Sequence, residues 1–453
     1  MARAKKQKLS LEQLLEKAIL KEKDIPYEIP SNWVWTELDY ISKWGSGGTP
    51  SRKNLEFYSG NIPWIKTGEL NNGYIYDTEE KITEEAIKKS SAKLFPINTV
   101  AIAMYGATIG KVGIFGVEAT TNQACACATP NNFIQHKYLF YYLQSQKDIF
   151  IEKGKGGAQP NISQEIIKRH FFPLPPFAEQ QRIVERIESL FEKLDTAKEL
   201  AQNALDSFEK RKAAILHKAF TGELTVKWRK KNEIDLNSWK EKKIKDICNV
   251  VRGGSPRPAG DPKYYDGNIP FLKVADVTRC VGPYITEFQY TIKEAGLNRT
   301  RMVESNTLLM SNSGATLGVP KICSFNTTFN DGIAAFINTE GINIEFHYFF
   351  WETKTNELRA INKGAAQPNL NTDIIGNIDI KLPLIPEQEE IVRILRKLLV
   401  EEQQAQELCD IIEKIDLMKQ SILARAFRSE LGTNNPEEES AIELLKEILK
   451  EKL

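Results

Sequence analysis

Two stretches of the chain place polar and basic side chains on glycine-bearing loops, a setting suited to hydrogen bonding with a partner. Arg and Lys can reach guanine edges, Asn and Gln adenine edges, and Ser and Thr hydroxyls phosphate oxygens. Taken alone, each residue is better explained as a turn or surface residue, so the prediction of DNA binding depends on their combination. The candidates in the first stretch are Thr49, Ser51, Arg52, Lys66, Thr67, Tyr105, Thr108, Lys111, Asn122, Gln123 and Lys155. Those in the second stretch are Ser255, Arg257, Lys273, Ser311, Asn312, Thr316, Lys321, Asn330, Asp331 and Lys363.

Motifs that would support catalysis are missing from the sequence. There is no Gly-x-Gly-x-x-Gly loop, no Walker lysine loop and no Gly-x-Ser-x-Gly elbow. The 4 histidines do not lie at metal-ligand spacing. We therefore expect no catalytic residue, no metal site and no cofactor bound by this chain.

The polar motifs occur twice, at a nearly constant offset along the chain. An internal repeat of this length predicts two copies of one domain. The matching segments are Gly-Thr-Pro at 48–50 with Gly-Ser-Pro at 254–256, Gly-Asn-Ile-Pro-Trp at 60–64 with Gly-Asn-Ile-Pro-Phe at 267–271, Gly-Ala-Thr-Ile-Gly at 106–110 with Gly-Ala-Thr-Leu-Gly at 314–318, and Gln-Pro-Asn at 159–161 and 367–369.

Each copy is followed by a Glu-Gln-x-x-Ile-Val motif that opens a long predicted helix. Apolar residues recur there every 3.5 residues, which is typical of a helix that packs on another helix. At about 1.5 Å per residue, roughly 40 residues make a rod of about 60 Å. Two ordinary core helices are the alternative. The predicted coiled-coil seam of helix Pro175–Phe220 is Ile183, Ile187, Leu190, Leu194, Ala197, Ala201, Ala204 and Phe208, and that of helix Pro386–Phe427 is Ile391, Leu395, Leu398, Ala405, Leu408, Ile411, Ile415, Met418 and Ile422.

The composition is that of an ordinary soluble protein. The net charge of +1 counts against a simple nucleic-acid binder, whose domain pI is often above 9. No run of about 18 apolar residues is present, so we expect no membrane span. The 6 cysteines do not form a disulfide framework. We expect reduced thiols and a cytoplasmic protein.

Short amphipathic helices are predicted near both ends of the sequence. Ser10 with Gln13 and Ser440 with Glu443 each have the spacing of a capping box. The two helices fit packing on the chain's own domains and docking on another protein equally well.

Taken together, these motifs resemble the specificity (S) subunit of type I restriction–modification systems. The resemblance covers about Trp33 to Leu431 and depends on the twin Gly-x-Pro, Gly-Asn-Ile-Pro-aromatic and Gln-Pro-Asn segments, on the Glu-Gln-x-x-Ile-Val helices, and on Gly-Glu-Leu at 222–224 and Ser-Glu-Leu at 429–431. The extra helix near each end departs from the commonest pattern.

The resemblance implies an α+β protein with two mixed α/β target recognition domains in tandem repeat. Two long helices forming an antiparallel coiled coil with pseudo-two-fold symmetry separate them. The expected divisions are 1–30 for an N-terminal amphipathic helix, 31–174 for target recognition domain 1, 175–232 for spacer helix 1 and linker, 233–384 for target recognition domain 2, 385–432 for spacer helix 2, and 433–453 for a C-terminal acidic amphipathic helix.

The resemblance also implies partners and a division of labour. Each domain is expected to read one half of a bipartite, asymmetric site in double-stranded DNA. The paired helices are expected to set the gap and to dock the adenine-N6 methyltransferase subunits. Two methyltransferase subunits with S-adenosylmethionine, and restriction subunits with ATP and Mg, are the implied partners. The chain lacks the Asn/Asp-Pro-Pro-Tyr/Phe motif of such methyltransferases. A coiled-coil scaffold with two protein-binding domains is the alternative, and a complete methyltransferase or nuclease is a third hypothesis.

Overall fold

The computed structural model describes residues 10–155, 161–314, 316–361 and 370–453. These residues fall into two units. The first unit contains the described residues up to Lys198 together with Glu413–Leu453, and the second contains those within Glu199–Ile412.

The first domain alternates short strands with short helices, as its glycine-rich turns predict. Its elements are α1 (Leu11–Ala18), β1 (Val34–Glu37), α2 (Leu38–Ile41), β2 (Ser42–Ser46), β3 (Ile62–Ile65), β4 (Tyr74–Ile75), β5 (Lys81–Ile82), α3 (Glu84–Lys88), β6 (Val100–Ala103), β7 (Val112–Phe115), β8 (Thr120–Thr121), β9 (Cys125–Pro130), α4 (His136–Ser145), α5 (Lys147–Lys153), α6 (Gln164–Lys168) and β10 (Phe171–Leu174). The long helix α7 (Phe177–Thr221) follows.

The second domain repeats this plan. Its elements are α8 (Val226–Lys231), β11 (Lys240–Lys243), β12 (Asn249–Arg252), β13 (Tyr265–Leu272), α9 (Val274–Arg279), β14 (Tyr284–Ile285), β15 (Thr291–Ile292), β16 (Arg301–Val303), β17 (Thr307–Ser311), β18 (Pro320–Cys323), β19 (Thr327–Phe329), β20 (Ile333–Ile337), α10 (Ile344–Ile361), α11 (Thr372–Gly376) and β21 (Asp379–Leu382). The second long helix α12 (Ile385–Ala426) and the short helix α13 (Ala441–Lys450) complete the chain.

Corresponding strands form corresponding sheets in the two domains. The five-stranded sheets have the orders β2-β9-β6-β7-β4 and β12-β20-β17-β18-β14. A smaller sheet contains β5-β3-β8 in the first domain and β15-β13-β19-β16 in the second, and the two-stranded pairs are β1-β10 and β11-β21. The shared strand order confirms the tandem repeat of mixed α/β domains.

Each five-stranded sheet is buried on both faces. Alternate residues of a strand point to opposite sides of the sheet and therefore belong to different cores. On β6, Val100 and Ile102 belong to the core shared with α4 and the long helices, whereas Ala101 and Ala103 belong to a second core with Phe115. The second domain divides Leu308 and Leu309 of β17 between two cores in the same way.

The long helices pair antiparallel within each unit. In the first unit, Asp195 of α7 pairs with Lys419 of α12, and Lys198 Nζ lies 3.0 Å from an Asp416 oxygen. As the residue numbers on α7 increase, those of the paired residues on α12 decrease, so the two helices are antiparallel. In the second unit, Arg211 of α7 lies 3.4 Å from Glu401 of α12.

The predicted seam is buried at nine positions, four on α7 and five on α12. Among the predicted positions, those on α7 that are buried are Ile183, Ile187, Ala201 and Phe208, and those on α12 are Ile391, Leu395, Leu398, Ala405 and Ile415. The predicted positions that are partly buried are Leu190, Leu194, Leu408 and Ile422.

Four predicted seam positions are wrong. Ile411 and Met418 are 45% and 48% exposed, and Ala197 and Ala204 are exposed as well. The burial pattern of α12 instead passes through Lys419, whose ammonium also lies 5.0 Å from the Phe191 ring centroid. A lysine can fill such a position because its methylene stem packs against neighbours while its ammonium finds an acidic partner. The apolar pattern could not reveal lysines in the seam.

A buried glutamate anchors the first turn of each long helix to its domain. Glu179 of α7 accepts the indole N–H of Trp33 at 2.7 Å and the amide N–H of Asn434 at 2.9 Å. We call this the first joint. At the second joint, Glu387 of α12 accepts from Trp239 at 2.9 Å and pairs with Arg229 at 2.6 Å.

The glutamine of the same motif completes each joint. The side-chain oxygen of Gln180 accepts the backbone N–H of Gln135 at 2.9 Å, and that of Gln388 accepts from Asn343 at 2.7 Å. All four Glu and Gln side chains are fully buried. The Glu-Gln motif therefore fixes where each helix leaves its domain.

The two short terminal helices pack within the first unit rather than projecting from it. Ala441, Leu445 and Leu449 are buried in its core, and α1 packs against α13. The Ser10–Gln13 capping box is confirmed. The Ser440–Glu443 box is wrong, because the Glu443 carboxylate pairs with Lys446 while Ser440 accepts from the Ile442 N–H.

All six cysteines are free. Among the described residues, no helix is long and apolar enough to span a membrane.

Candidate nucleic-acid interface

Paired glycines let one loop of each domain lie directly on a neighbouring strand end. The Gly48 N–H donates to the Thr121 carbonyl at 2.8 Å, and the Gly254 N–H to the Phe329 carbonyl at 3.1 Å. A Cβ on Gly47 would lie 2.0 Å from the Thr121 carbonyl oxygen. Any side chain at this position would push the loop away, so the glycines hold the following Thr or Ser beside the next loop.

The residue after the glycines ties this loop to a second one. The Thr49 hydroxyl donates to the side-chain oxygen of Gln123, and the Ser255 hydroxyl donates to Asp331 Oδ1 at 2.7 Å. These four residues are candidates identified from sequence, and the structure brings them together as one equivalent pair in each domain.

A tyrosine fixes the first loop from beneath. The hydroxyl of Tyr58 donates to the Pro50 carbonyl at 2.7 Å, and that of Tyr265 to the Pro256 carbonyl at 2.9 Å. Sequence reasoning missed both tyrosines. Their matching positions just before the Gly-Asn-Ile-Pro motifs were the available signal.

A third loop carries an equivalent lysine in each domain. The backbone N–H of Lys66 donates to Glu69 at 2.7 Å, and that of Lys273 to Asp276 at 2.7 Å. This loop adjoins the second one, because the Asn122 N–H donates to the carbonyl of Ile65 at 3.0 Å. The three loops therefore form one continuous surface, and the second domain repeats it with an Asn330–Leu272 bond of 2.9 Å.

The cations of this surface have different partners in the two domains. Arg52 and Lys66 both pair with Glu80, and Lys66 also lies 2.9 Å from Glu79. The Arg52 hydrogen bond lowers the pKa of Glu80, and the bonds to the two glutamates raise the pKa of Lys66. Lys273 instead places its ammonium 3.3 Å from the Tyr290 ring centroid.

The Gly-Ala-Thr turn of the first domain lies next to the second loop, because the preceding Met104 N–H donates to the Ala124 carbonyl at 2.9 Å. Gly106 and Gly314 have φ of 63° and 79°, a region that favours glycine. Tyr105 is 40% exposed, and its carbonyl accepts the Thr108 hydroxyl at 2.8 Å. Thr108 therefore has a role within the turn itself.

Other candidate side chains lie at or near the surface and do not stabilise a turn. Among the described residues, no side-chain hydrogen bond or ion pair is found for the set Ser51, Thr67, Lys111, Lys155, Arg257 and Thr316, of which Thr67 and Lys111 are half-buried and the others exposed.

Some candidates lie in the interior or serve the fold. Ser311, Asn312 and Lys321 are buried, with the Ser311 hydroxyl donating to the Thr316 carbonyl and Lys321 to the Gly282 carbonyl. Asn122 caps its own turn by accepting the Ala124 N–H at 3.1 Å. Asn330 is half-buried at the matching position, and its side-chain oxygen is buried. Lys363 lies outside the described residues.

Exposed cations, amides and hydroxyls on one loop surface match the groups that bind phosphates and base edges. Among the described residues, no group of three or more His, Cys, Asp or Glu is placed to hold a metal ion. Two such surfaces on twin domains, with a long helix following each domain, define a tandem recognition protein.

Comparison with known proteins gives the family. The model of the type I restriction modification DNA specificity domain matches residues 30–204 and again 237–409. The chain belongs to this family, which confirms the resemblance seen in the sequence.

Several relatives are specificity subunits of type I restriction enzymes. The MjaIX specificity subunit of Methanocaldococcus jannaschii is 28% identical over 81% of this chain and 86% of its own length. The EcoKI specificity subunit of Escherichia coli K12 is 22% identical over 94% and 96%. The EcoR124I/EcoR124II specificity subunit of Escherichia coli is 35% identical over 36% of this chain, and the matched part is 41% of that relative's length.

Solved structures share the fold. A chain from a study of complex assembly and conformational transition in the type I R-M system aligns with TM-score 0.69 and 19% identity, over 89% of this chain and 100% of that one. The HsdS subunit from Thermoanaerobacter tengcongensis aligns with TM-score 0.55 and 20% identity, over 89% and 99%.

Proposed function

We propose that this chain is the DNA-reading subunit of a type I restriction–modification complex, in which each domain contacts one half of a bipartite, asymmetric site. The observation that carries the proposal is the loop surface found twice on one scaffold with different side chains. Equivalent backbones with unlike side chains suit two unlike half-sites. The direct contacts are assigned to the exposed loop residues, and those in the interior are left out.

The paired helices are proposed to set the gap between the half-sites. At about 1.5 Å per residue, the 45 residues of α7 correspond to roughly 68 Å. Half-sites read from one face of B-DNA lie about 34 Å apart or a multiple of it. Since α7 begins in the first unit and ends in the second, its length is a natural determinant of that spacing.

The remaining steps of the reaction are assigned to partner proteins. Two methyltransferase subunits using S-adenosylmethionine would modify the DNA, and restriction subunits using ATP and Mg would cleave it, in the cytoplasm. The chain itself would bind none of these cofactors. With a net charge of only +1, it would bind DNA weakly alone and tightly with methyltransferase subunits, which add phosphate contacts.

Methylation-site sequencing tests the proposal directly. The chain is co-expressed with its methyltransferase subunit, and methylated adenines are mapped across the host genome. We expect one motif with two defined halves and a gap of fixed length. If the chain and its partner bind no duplex DNA, the protein-binding scaffold becomes the better hypothesis. Methyl transfer by the purified chain alone would instead support a complete methyltransferase.

Lengthening both helices tests the role of their span. One heptad is inserted in α7 after Lys198 and one in α12 after Ile412, where the two units divide. Seven residues preserve the helical phase and add about 10 Å, equivalent to about three base pairs. A wider gap between unchanged half-sites is expected, and an unchanged gap would contradict this role.

A further inference from the structure

Position 80 of the first domain and position 290 of the second are equivalent in the fold. Strand β5 pairs with β3 as β15 pairs with β13. The residue just before each edge strand accepts a matching backbone bond, with the Trp64 N–H donating to Glu80 at 3.1 Å and the Phe271 N–H to Tyr290 at 2.9 Å. A carboxylate and an aromatic ring therefore occupy the same place.

In the first domain, the carboxylate of Glu80 neutralises two cations of the loop surface. Arg52 binds Glu80 through two N–H groups, the longer bond being 3.2 Å, and its guanidinium lies 4.3 Å from the Tyr58 ring centroid. Lys66 Nζ lies 3.0 Å from the same carboxylate. Both cations are thus bound to an acid before any ligand arrives.

In the second domain, Tyr290 occupies the equivalent position and leaves the positive charge of Lys273 uncompensated. An aromatic ring attracts an ammonium group without cancelling its charge. Across the described part of the chain, neither the Lys273 ammonium nor the Arg257 guanidinium forms an ion pair with a carboxylate. These two cations can meet a phosphate directly.

We propose that Glu80 determines the specificity of the first domain by competing with DNA for Arg52 and Lys66. This inference rests on the proposed function. Non-specific binding comes from phosphate neutralisation by Lys and Arg, and a competing carboxylate weakens it for every sequence. Discrimination between ligands can arise from such an opposing element as well as from favourable contacts. Only a half-site with matching base edges compensates for the lost Glu80 contacts.

The first test removes the charge of Glu80 while keeping its size. Equilibrium affinity of the Glu80→Gln chain with its methyltransferase subunit is measured on the methylation-defined site and on a scrambled duplex, between 50 and 200 mM salt. Affinity for the scrambled duplex is expected to rise about tenfold, with a salt slope steeper by about 1 to 2, because freed cations displace more counterions. Affinity for the defined site rises less, so the specificity ratio falls.

A matched control lies beside Glu80. Glu79 is bonded to Lys66 and not to Arg52, and its side chain is 79% exposed. The Glu79→Gln variant is expected to change the specificity ratio by less than a third of the Glu80→Gln effect.

The reciprocal test installs the carboxylate in the second domain. Tyr290 is 40% exposed, so the Tyr290→Glu variant changes a surface position. Binding of the scrambled duplex is expected to weaken severalfold, with a shallower salt slope, while the specificity ratio rises. This variant keeps the inference testable if Glu80→Gln fails to fold.

The outcomes separate the inference from the proposed function. If the wild-type complex does not distinguish its site from the scrambled duplex, the proposed function is wrong. If it does distinguish them and both Glu80→Gln and Tyr290→Glu leave the ratio unchanged, the role of Glu80 is wrong.

Discussion

The first and second joints have the same backbone plan and different chemistry. In both, a tryptophan indole and a buried glutamate hold the first turn of a long helix, and a glutamine caps the preceding loop. A threonine hydroxyl also donates in both, from Thr433 to Glu179 and from Thr225 to Glu387. Only the remaining partner differs, because Asn434 offers a neutral donor to Glu179, whereas Arg229 offers a cation to Glu387.

This difference shows that the carboxylate position tolerates either kind of partner, provided that its oxygens are bonded. The energetic consequences are unequal. A buried ion pair is strongly destabilised when one partner is removed, because an uncompensated charge stays behind. A carboxylate held by neutral donors loses only the hydrogen bond that is removed. Amide hydrogen exchange can measure this, since it reports on the start of each long helix separately.

The largest effect is expected from Arg229→Met at the second joint. Both side chains of the Arg229–Glu387 pair are nearly or fully buried. Losing the guanidinium should lower the opening free energy of the first turns of α12 by about 3–5 kcal/mol.

Arg182→Met at the first joint is the matched control for that variant. Arg182 pairs with Glu438 at 2.7 Å and donates to the Thr433 carbonyl at 3.0 Å, but the two side chains of the ion pair are 36% and 21% exposed. Solvent screening should hold its cost to about 1 kcal/mol or less. Equal costs for the two variants would show that burial does not separate these ion pairs.

Replacing the tryptophan should destabilise the first joint more than the second, the reverse of the order expected for the arginine variants. Phe at position 33 or 239 keeps most of the ring and removes the indole donor, at a cost of about 1–3 kcal/mol for the hydrogen bond. Glu387 would retain its pair with Arg229, whereas Glu179 has only neutral donors left. Hydrogen exchange is therefore expected to show a larger loss for Trp33→Phe than for Trp239→Phe. The opposite order would argue that packing, not bonding, governs the joints.

Removing a neutral donor from the first joint should have a smaller effect. Asn434→Ala deletes one hydrogen bond to Glu179 and one to Asn32. We expect the start of α7 to lose about 1–2 kcal/mol, with the start of α12 unchanged. A loss at both places would show that the joints do not respond separately.

The smallest effect is a dependence on pH at the first joint. Burial raises the pKa of Glu179. The folded state therefore holds a proton more tightly than the unfolded state, whose glutamate pKa is about 4.3. Relative to a Glu179→Gln variant, the first joint should lose stability as pH rises from about 4.3 through the raised pKa. Exchange at α7 in both proteins measures this difference, and a gain of stability over that window would contradict it.

The sequence predicted the repeated architecture well, because each copy carries the same glycine and proline turns and the same strand order follows from them. It also predicted that Thr49 and Ser255 belong to equivalent loops of the two domains. Their partners Gln123 and Asp331 were candidates too, although the pairing is visible only in the fold.

The remaining features were beyond prediction for physical reasons. Glu179 and Asn434 are far apart in sequence, and no local pattern joins them. Glu80 and Tyr290 occupy equivalent structural positions but differ in chemistry. A comparison of the two sequence copies for similar residues therefore identifies neither. Ile411 and Met418 look like seam residues because an apolar pattern cannot anticipate Lys419 with its acidic partner Asp195.

The first unit is assembled from two separate portions of the chain, and this has a consequence for its synthesis. Leu423, Phe427 and Leu445 lie in the same core as Val100 and Ile183. The second unit is continuous from Glu199 to Ile412, so a ribosome finishes its residues before supplying these. At about 5–20 residues per second, the first domain waits roughly 10–50 s for them to emerge. Although translated earlier, the first domain is therefore the last to acquire its complete interior.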